Sequence, residues 1–197
     1  MLDLHRNWFK GLESKTADIF AVFALAPNHY TLLSIFFAMG CAYEIYVGNY
    51  LIALGLFLAA AFCDLIDGAV ARRKNLSTKK GAYWDTIADR YVEAMLLFGL
   101  LSVDLPGFYL SAYAWIFLAL FGSTMTTYAK AAAKEKGLSD TELKGGLMSR
   151  AERLIFLIAI LILLGYSKIW AMSFIVVLAA LSNITAIQRI SMALRRN

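Results

Sequence analysis

The sequence predicts an all-α integral membrane protein with six transmembrane helices, preceded by an amphipathic helix lying in the membrane interface. Of the 197 residues, 60% are hydrophobic and only 17% are charged, and the mean hydropathy is +0.64. A soluble domain of this size normally carries more charge on its surface. Several runs also approach the roughly 20 apolar residues that a bilayer core requires. We therefore expect residues 1–197 to form a single membrane domain.

The apolar runs and the breaks between them define the six helices. The predicted ranges are 28–46, 50–72, 81–103, 107–134, 147–166 and 169–195. Residues 1–13 mix charged side chains with Trp8 and Phe9 and lack a continuous apolar region, which favours an interfacial helix over a signal peptide. A disordered tail is the alternative for this segment.

The distribution of basic residues predicts the orientation in the membrane. Of the 19 Lys and Arg residues, 18 fall in the termini and in the two longer charged connections with their flanks, and only Lys168 falls on the opposite side. The positive-inside rule then places both termini and both connections in the cytoplasm, which indicates a multi-pass protein of the cytoplasmic membrane. Anionic lipid headgroups and phosphorylated substrates account for the net charge of +5, so no nucleic-acid partner is expected.

Four aspartates form the main candidate site. Asp67 lies three positions after Asp64 on the second predicted helix, and Asp89 lies four positions after Asp85 on the third, so each pair shares one helix face. A turn of eight residues makes the two helices antiparallel neighbours. We therefore expect the four carboxylates to meet just inside the cytoplasmic surface.

Such a cluster needs a compensating charge. Two carboxylates 4 Å apart repel each other by about 4 kcal/mol at an effective dielectric constant of 20. Oxygen ligands without His or Cys select hard cations such as magnesium, calcium or manganese. The alternative is a buried polar network between helices, but ionisable groups inside a membrane usually have a function. Gly68 and Gly81 leave space on the same faces, and Arg72 offers a cation suited to phosphate.

The run from Asp64 to Asp89 resembles the signature of the CDP-alcohol phosphotransferases. It reads D-x2-D-G-x2-A-R-x8-G-x3-D-x3-D and matches that signature at every fixed position over 26 residues. The element Pro27-Asn-His-Tyr-Thr31 resembles the PNxxT element that opens the first span of that family. The resemblance implies an enzyme that transfers a phosphoalcohol from a CDP-linked lipid to an acceptor hydroxyl and releases CMP.

The resemblance also implies roles for individual residues. Asp64, Asp67, Asp85 and Asp89 correspond to the residues of the metal site. Asp89 also corresponds to the general base, and it lies close to the second metal position. Two divalent ions, Mg²⁺ or Mn²⁺, are therefore expected. The CDP-lipid is expected to contact Asn28, Thr31, Gly68, Arg72 and Thr78. The resemblance further implies that the protein forms a homodimer. Membrane lipids are expected to surround it.

Basic residues towards the C-terminus indicate the acceptor. Arg150 and Arg153 share a helix face and can bind a phosphate, although positive-inside anchoring would also place cations there. Two regions resemble the corresponding parts of the phosphatidylinositol phosphate and archaetidylinositol phosphate synthases. One comprises the segments around Lys130, Arg150 and Arg153, and the other is Gln188-Arg189 near the end of the last helix. This subgroup implies that the acceptor phosphate binds Lys130, Arg150, Arg153 and Arg189. A phosphorylated polyol is therefore expected, with myo-inositol 1-phosphate favoured and glycerol 3-phosphate as the alternative.

A carboxylate-lined cation transporter is the alternative from another functional class. Its carboxylates would lie near the bilayer midplane and recur in a second, repeated half of the chain. Here the carboxylates cluster towards one end of two helices, and the sequence holds no second copy of the motif. Release of CMP from a CDP-linked lipid would separate the two classes.

The predicted orientation can be tested by cysteine labelling. Single cysteines introduced at Lys80 and Lys144, one in each long connection, should react with membrane-impermeant reagents only from the cytoplasmic side. Labelling of both positions from outside intact cells would contradict the orientation.

Overall fold

The structure is a computed structural model that describes residues 27–73, 76, 78–138 and 145–195. Within these residues the regular structure is helical, with one isolated bridge between Phe108 and Leu110. The predicted interfacial helix of residues 1–13 lies outside the described residues. The helices are α1 (Pro27–Val47), α2 (Tyr50–Arg73), α3 (Lys79–Leu100), α4 (Ala112–Glu135), α5 (Arg150–Leu164) and α6 (Lys168–Leu194).

All six predicted helices are present, but two begin later in the chain than predicted. Helix α4 begins at Ala112, because Phe108 and Leu110 exchange backbone hydrogen bonds of 3.0 and 2.7 Å around Tyr109, whose φ is 58°. Ser111 then caps the helix by accepting a hydrogen bond from the Ala114 amide. Helix α5 begins at Arg150, after the N-cap Ser149.

Three of the described helices are long and apolar enough to cross a membrane, namely α1, α2 and α6. Helix α5 has only 15 residues, which at 1.5 Å per residue is shorter than a typical hydrocarbon core of about 30 Å. The all-helical membrane architecture is thus confirmed, whereas the count of six spans stays a prediction.

The first compact unit contains α1, α2 and α3 and ends at Val103. Helix α1 packs extensively against both α2 and α3, while α2 and α3 contact each other only sparsely. The predicted neighbours α2 and α3 therefore meet over a short stretch, which includes the predicted aspartates, and α1 provides most of the packing in this unit. The buried face of α1 is rich in small side chains, including Ser34, Ala38 and Cys41, and small residues let helix backbones approach closely.

The second compact unit, from Asp104 onward, contains α4, α5 and α6. Helix α6 packs against both α4 and α5. At the contact with α4, a Cβ atom on Gly122 would lie 2.6 Å from Nδ2 of Asn183. That Asn183 amide donates to the backbone oxygens of Leu118 and Ala179, both at 2.8 Å. The glycine therefore makes room for a polar bridge between the two helices.

At Gly99, α3 approaches α1 closely, and replacing this glycine tests the packing of the two helices. A Cβ atom there would lie 2.9 Å from the Cα of Ala42, so Gly99→Ala should destabilise the protein by about 1–3 kcal/mol. Gly55 on α2 is the matched control, because a Cβ atom there meets nothing within 4 Å. Gly55→Ala should leave stability unchanged or raise it by up to about 1 kcal/mol. Thermal unfolding in detergent measures both, and equal midpoints for the two variants would contradict this packing.

Candidate active site

Three of the four predicted aspartates form a compact cluster in the first unit. Asp64 and Asp67 come from α2 and Asp85 from the second turn of α3, and one carboxylate oxygen from each lies within 4.8 Å of the others. Asp67 is buried, and the other two are partly buried. Close carboxylates in this setting repel one another strongly. An all-oxygen donor set of this kind fits a hard divalent cation.

Asp89 lies one turn beyond Asp85 on α3 and is only 8% exposed. It is not part of the three-residue cluster in the described structure. One further turn along, Glu93 is 2% exposed and accepts two hydrogen bonds from the guanidinium group of Arg90, at 2.9 and 3.0 Å. Sequence reasoning used Arg90 only for orientation and missed this pair, although opposite charges three residues apart on a helix are a readable signal.

Helix α1 contributes directly to the carboxylate cluster through Thr31. Its hydroxyl group donates a hydrogen bond of 2.6 Å to Oδ2 of Asp67, and both side chains are buried. Ser34 in turn donates to the backbone oxygen of Thr31 at 2.7 Å. The resemblance assigned Thr31 to the CDP-lipid, whereas the structure shows a contact with a candidate metal ligand. Such contacts fix the orientation of a ligand and tune its affinity for metal.

The other predicted CDP-lipid residues lie at the ends of the same three helices. Thr78 caps α3 by accepting a hydrogen bond of 3.0 Å from the Gly81 amide. A Cβ atom on Gly81 would lie 3.2 Å from the Thr78 hydroxyl oxygen and 3.9 Å from Oδ1 of Asn28. The structure thus brings Asn28, at the start of α1, together with Thr78 and Gly81.

Arg72 lies over Gly68 in the last turns of α2. A Cβ atom on Gly68 would lie 3.3 Å from Nη1 of Arg72. Because Gly68 directly follows Asp67, this arrangement places an exposed guanidinium group on the helix that supplies two of the clustered carboxylates. A cation and a side-chain-free stretch of backbone suit the approach of a phosphate group.

The second unit contains a separate basic cluster, centred on Thr126 of α4. Arg153 of α5 is 2% exposed and donates from Nη1 to the Thr126 hydroxyl oxygen at 3.2 Å. Arg189 of α6 is 6% exposed and donates from Nη1 to the Thr126 backbone oxygen at 2.7 Å. Two buried guanidinium groups therefore meet at Thr126, a residue that the sequence analysis did not single out.

Two further predicted acceptor residues flank this cluster along the chain. Lys130 is partly buried and lies one turn beyond Thr126 on α4. Arg150 is partly buried and is the first residue of α5, one turn before Arg153. Helical periodicity thus places Lys130 on the Thr126 side of α4 and Arg150 on the Arg153 side of α5.

The sequence profile of the family described as CDP-alcohol phosphatidyltransferase matches residues 24–186. The protein belongs to this family. Membership confirms the resemblance found in the Asp64–Asp89 run, and with it the class of metal-dependent, membrane-bound transferases of phospholipid biosynthesis. A divalent-metal site at the clustered aspartates agrees with this class.

Individual relatives agree with this assignment. The chain is 33% identical to the archaetidylinositol phosphate synthase of Pyrococcus horikoshii over 89% of this chain and 87% of the relative. It is 34% identical to the phosphatidylinositol phosphate synthase of Corynebacterium glutamicum over 98% and 89% of the two chains. The crystal structure of the Mycobacterium tuberculosis phosphatidylinositol phosphate synthase with CDP-DAG bound has a TM-score of 0.78, with 24% identity over 92% of both chains. A second structure of that enzyme is in complex with manganese and citrate. These likenesses confirm the fold.

The contact between Thr31 and Asp67 predicts that Thr31 supports metal binding. Thr31→Val removes the donor but keeps the shape, and should weaken divalent-metal affinity about 10- to 100-fold. Thr31→Ser keeps the hydroxyl group and should stay within a few-fold of the wild type. Asp85→Asn, which alters a candidate ligand itself, should show the largest loss of metal affinity. Mn²⁺ titration followed by electron paramagnetic resonance measures all three variants.

The same experiment separates the two roles considered for Thr31. If Thr31→Val binds Mn²⁺ like the wild type but binds CDP-lipid more weakly, Thr31 acts on the nucleotide and the metal role is wrong.

Proposed function

We propose that this protein transfers the phosphatidyl or archaetidyl group of a CDP-linked lipid to a phosphorylated polyol, with myo-inositol 1-phosphate favoured, and releases CMP. The observation that carries the choice of a phosphorylated acceptor is the pair of buried guanidinium groups, from Arg153 and Arg189, on Thr126. Relatives named for inositol phosphate products support the polyol.

The donor half of the reaction rests on the first unit. The aspartates would hold two divalent ions, either Mg²⁺ or Mn²⁺. When bound, such ions would neutralise charge on the pyrophosphate and on the departing CMP. Asp64, Asp67 and Asp85 provide the oxygens for this purpose. Arg72 adds a fixed cation for a phosphate oxygen, and Gly68 leaves the backbone open beneath it. Asn28 and Thr78, which lie close to Gly81, are proposed to contact the nucleotide.

Proton transfer is assigned to Asp89. The acceptor hydroxyl oxygen forms a bond to the phosphorus on the lipid side of the pyrophosphate, and the bond from this phosphorus to the bridging oxygen breaks. CMP leaves with that oxygen, and the hydroxyl proton passes to the Asp89 carboxylate. Asp89 lies one helical turn from Asp85, so it is close in the chain to a metal ligand without belonging to the three-residue cluster.

The acceptor half rests on the basic cluster of the second unit. Two guanidinium groups that donate to the same residue repel each other, and burial strengthens this repulsion. A dianionic phosphate offsets the repulsion and accepts charge-assisted hydrogen bonds. We therefore assign the acceptor phosphate to Arg153 and Arg189, with Lys130 and Arg150 as further contacts. Glycerol 3-phosphate carries the same phosphate and is the second candidate.

The membrane setting follows the sequence argument. Because 18 of 19 basic residues fall on one side of the predicted topology, we propose six spans in the cytoplasmic membrane with the active site facing the cytoplasm. A homodimer is proposed from the resemblance to the family. Since the family is a family of transferases, the transporter alternative is set aside.

An acceptor panel tests the proposal directly. Purified protein is supplied with CDP-diacylglycerol or its archaeal ether analogue, a divalent metal and one acceptor at a time, and CMP release is measured. The expected result is release with myo-inositol 1-phosphate that exceeds release with glycerol 3-phosphate, free inositol or serine. Equal use of free inositol or serine would contradict a phosphate-binding acceptor pocket. Preference for glycerol 3-phosphate would leave the reaction class intact and change the polyol.

Arg153 is expected to determine acceptor affinity without affecting the donor. Loss of a hydrogen bond to a charged group costs about 1.5–3 kcal/mol, so Arg153→Ala should raise the acceptor KM roughly 10- to 150-fold. The KM for the CDP-lipid should be nearly unchanged. Lys136→Ala is the matched control, because it removes one exposed positive charge whose partner is the neighbouring Glu135. Weaker CDP-lipid binding in Arg153→Ala would instead assign this residue to the donor site.

A further inference from the structure

The segment Gly145–Ser149, here called the entry segment because it leads into α5, is fastened to α6 by side chains. The Leu147 amide donates to Oε1 of Gln188 at 3.0 Å, and the Met148 amide donates to the hydroxyl oxygen of Thr185 at 3.0 Å. Arg189 donates from Nε to the Gly145 backbone oxygen at 3.1 Å. Three backbone groups of an irregular segment are thus bound by one face of a single helix.

The packing of the entry segment is as specific as its hydrogen bonds. Gly146 has a φ of +106°, and a Cβ atom there would lie 2.5 Å from the methyl group of Thr185. Only glycine therefore fits this position, both for its backbone conformation and for the available space. Met148 is 2% exposed, and its sulfur accepts a hydrogen bond of 3.7 Å from Ser182 of α6.

The entry segment determines where α5 begins. Its last residue, Ser149, is the N-cap of α5, and the Ser149 amide donates to Oε2 of Glu152 at 2.6 Å in a capping box. The next residue is Arg150, and Arg153 follows one turn later. Any movement of the entry segment on α6 therefore moves the first turn of α5 and the guanidinium group that contacts Thr126.

We propose that Thr185 and Gln188 are positioning residues for acceptor binding. They do not touch the substrate; they hold the entry segment on α6 and so fix the first turn of α5, with Arg150 and Arg153, for the acceptor phosphate. Arg189 connects the two parts, because the same guanidinium group contacts the entry segment and Thr126. The inference rests on the proposed function, since it takes the acceptor to be phosphorylated.

Paired variants at each position test the inference. Thr185→Val keeps the shape but loses the hydroxyl acceptor, and Thr185→Ser keeps the acceptor. At Gln188, which is less buried, Gln188→Leu loses the side-chain oxygen that accepts from the Leu147 amide, and Gln188→Glu keeps an acceptor oxygen. The Gln188 pair therefore tests the inference even if Thr185→Val does not fold. Hydrogen exchange of the Leu147 and Met148 amides reports the hold on the segment, and steady-state kinetics report its effect on each substrate.

The expected result has two parts. The rate of hydrogen exchange at the Leu147 and Met148 amides should rise about 10-fold in Thr185→Val and Gln188→Leu, because each variant loses a neutral hydrogen bond. The KM for the phosphorylated acceptor should rise about 10-fold in the same variants. The KM for the CDP-lipid should stay within about twofold, and Thr185→Ser and Gln188→Glu should resemble the wild type. Unchanged exchange would overturn the inference, and so would faster exchange with an unchanged acceptor KM.

Failure of the proposed function looks different. A wild-type protein that does not prefer phosphorylated acceptors overturns that function, and with it the link from the entry segment to acceptor binding. In that case the exchange data still decide whether α6 holds the segment.

Discussion

Three carboxylate oxygens, one each from Asp64, Asp67 and Asp85, lie within 4.8 Å of one another, and their mutual repulsion is the constraint that the first unit has to meet. Helix α1 meets it in two ways. It packs against both helices that carry the aspartates, which fixes their backbones, and its Thr31 donates a hydrogen bond to Asp67. Because α2 and α3 contact each other only sparsely, the cluster depends on α1 for its geometry, and a divalent cation would offset its negative charge.

The two units divide the charges that the reaction needs. The first collects carboxylates and so favours a divalent cation, whereas the second collects guanidinium groups and so favours an anion. A CDP-linked donor and a phosphorylated acceptor are both anionic and repel each other. A divalent cation held by the aspartates of the first unit and the fixed arginines of the second unit would each offset part of that repulsion. Arg153 and Arg189 are both buried against Thr126, and guanidinium groups held in this way can form charge-assisted hydrogen bonds to a phosphate.

Some of this architecture was readable from the sequence because it depends on local spacing. Helical periodicity pairs Asp64 with Asp67 on α2 and Asp85 with Asp89 on α3, so the shared face of each pair was predictable. The pattern Ser149-x-x-Glu152 is a readable capping box that would have corrected the start of α5. The position of α1 was not predictable in this way. It depends on which small residues of distant segments meet, as Gly99 meets Ala42. The hydrogen bond between Thr31 and Asp67 joins residues that are 36 positions apart in the chain, and it follows from that packing.

Helix α6 shows how a long apolar helix can carry polar groups without leaving them unsatisfied. Ser182, Thr185 and Arg189 recur on one face, and Gln188 lies beside them. Within a membrane, such groups need partners. Ser182, Thr185 and Gln188 find theirs in the entry segment, and Arg189 binds both that segment and Thr126. The polar face and the irregular segment therefore satisfy each other, because the Leu147 and Met148 amides lie outside a helix and find their hydrogen-bond acceptors on α6. Because Arg189 belongs to both sets of contacts, a change in the entry segment reaches the basic cluster through one side chain as well as through the backbone of α5.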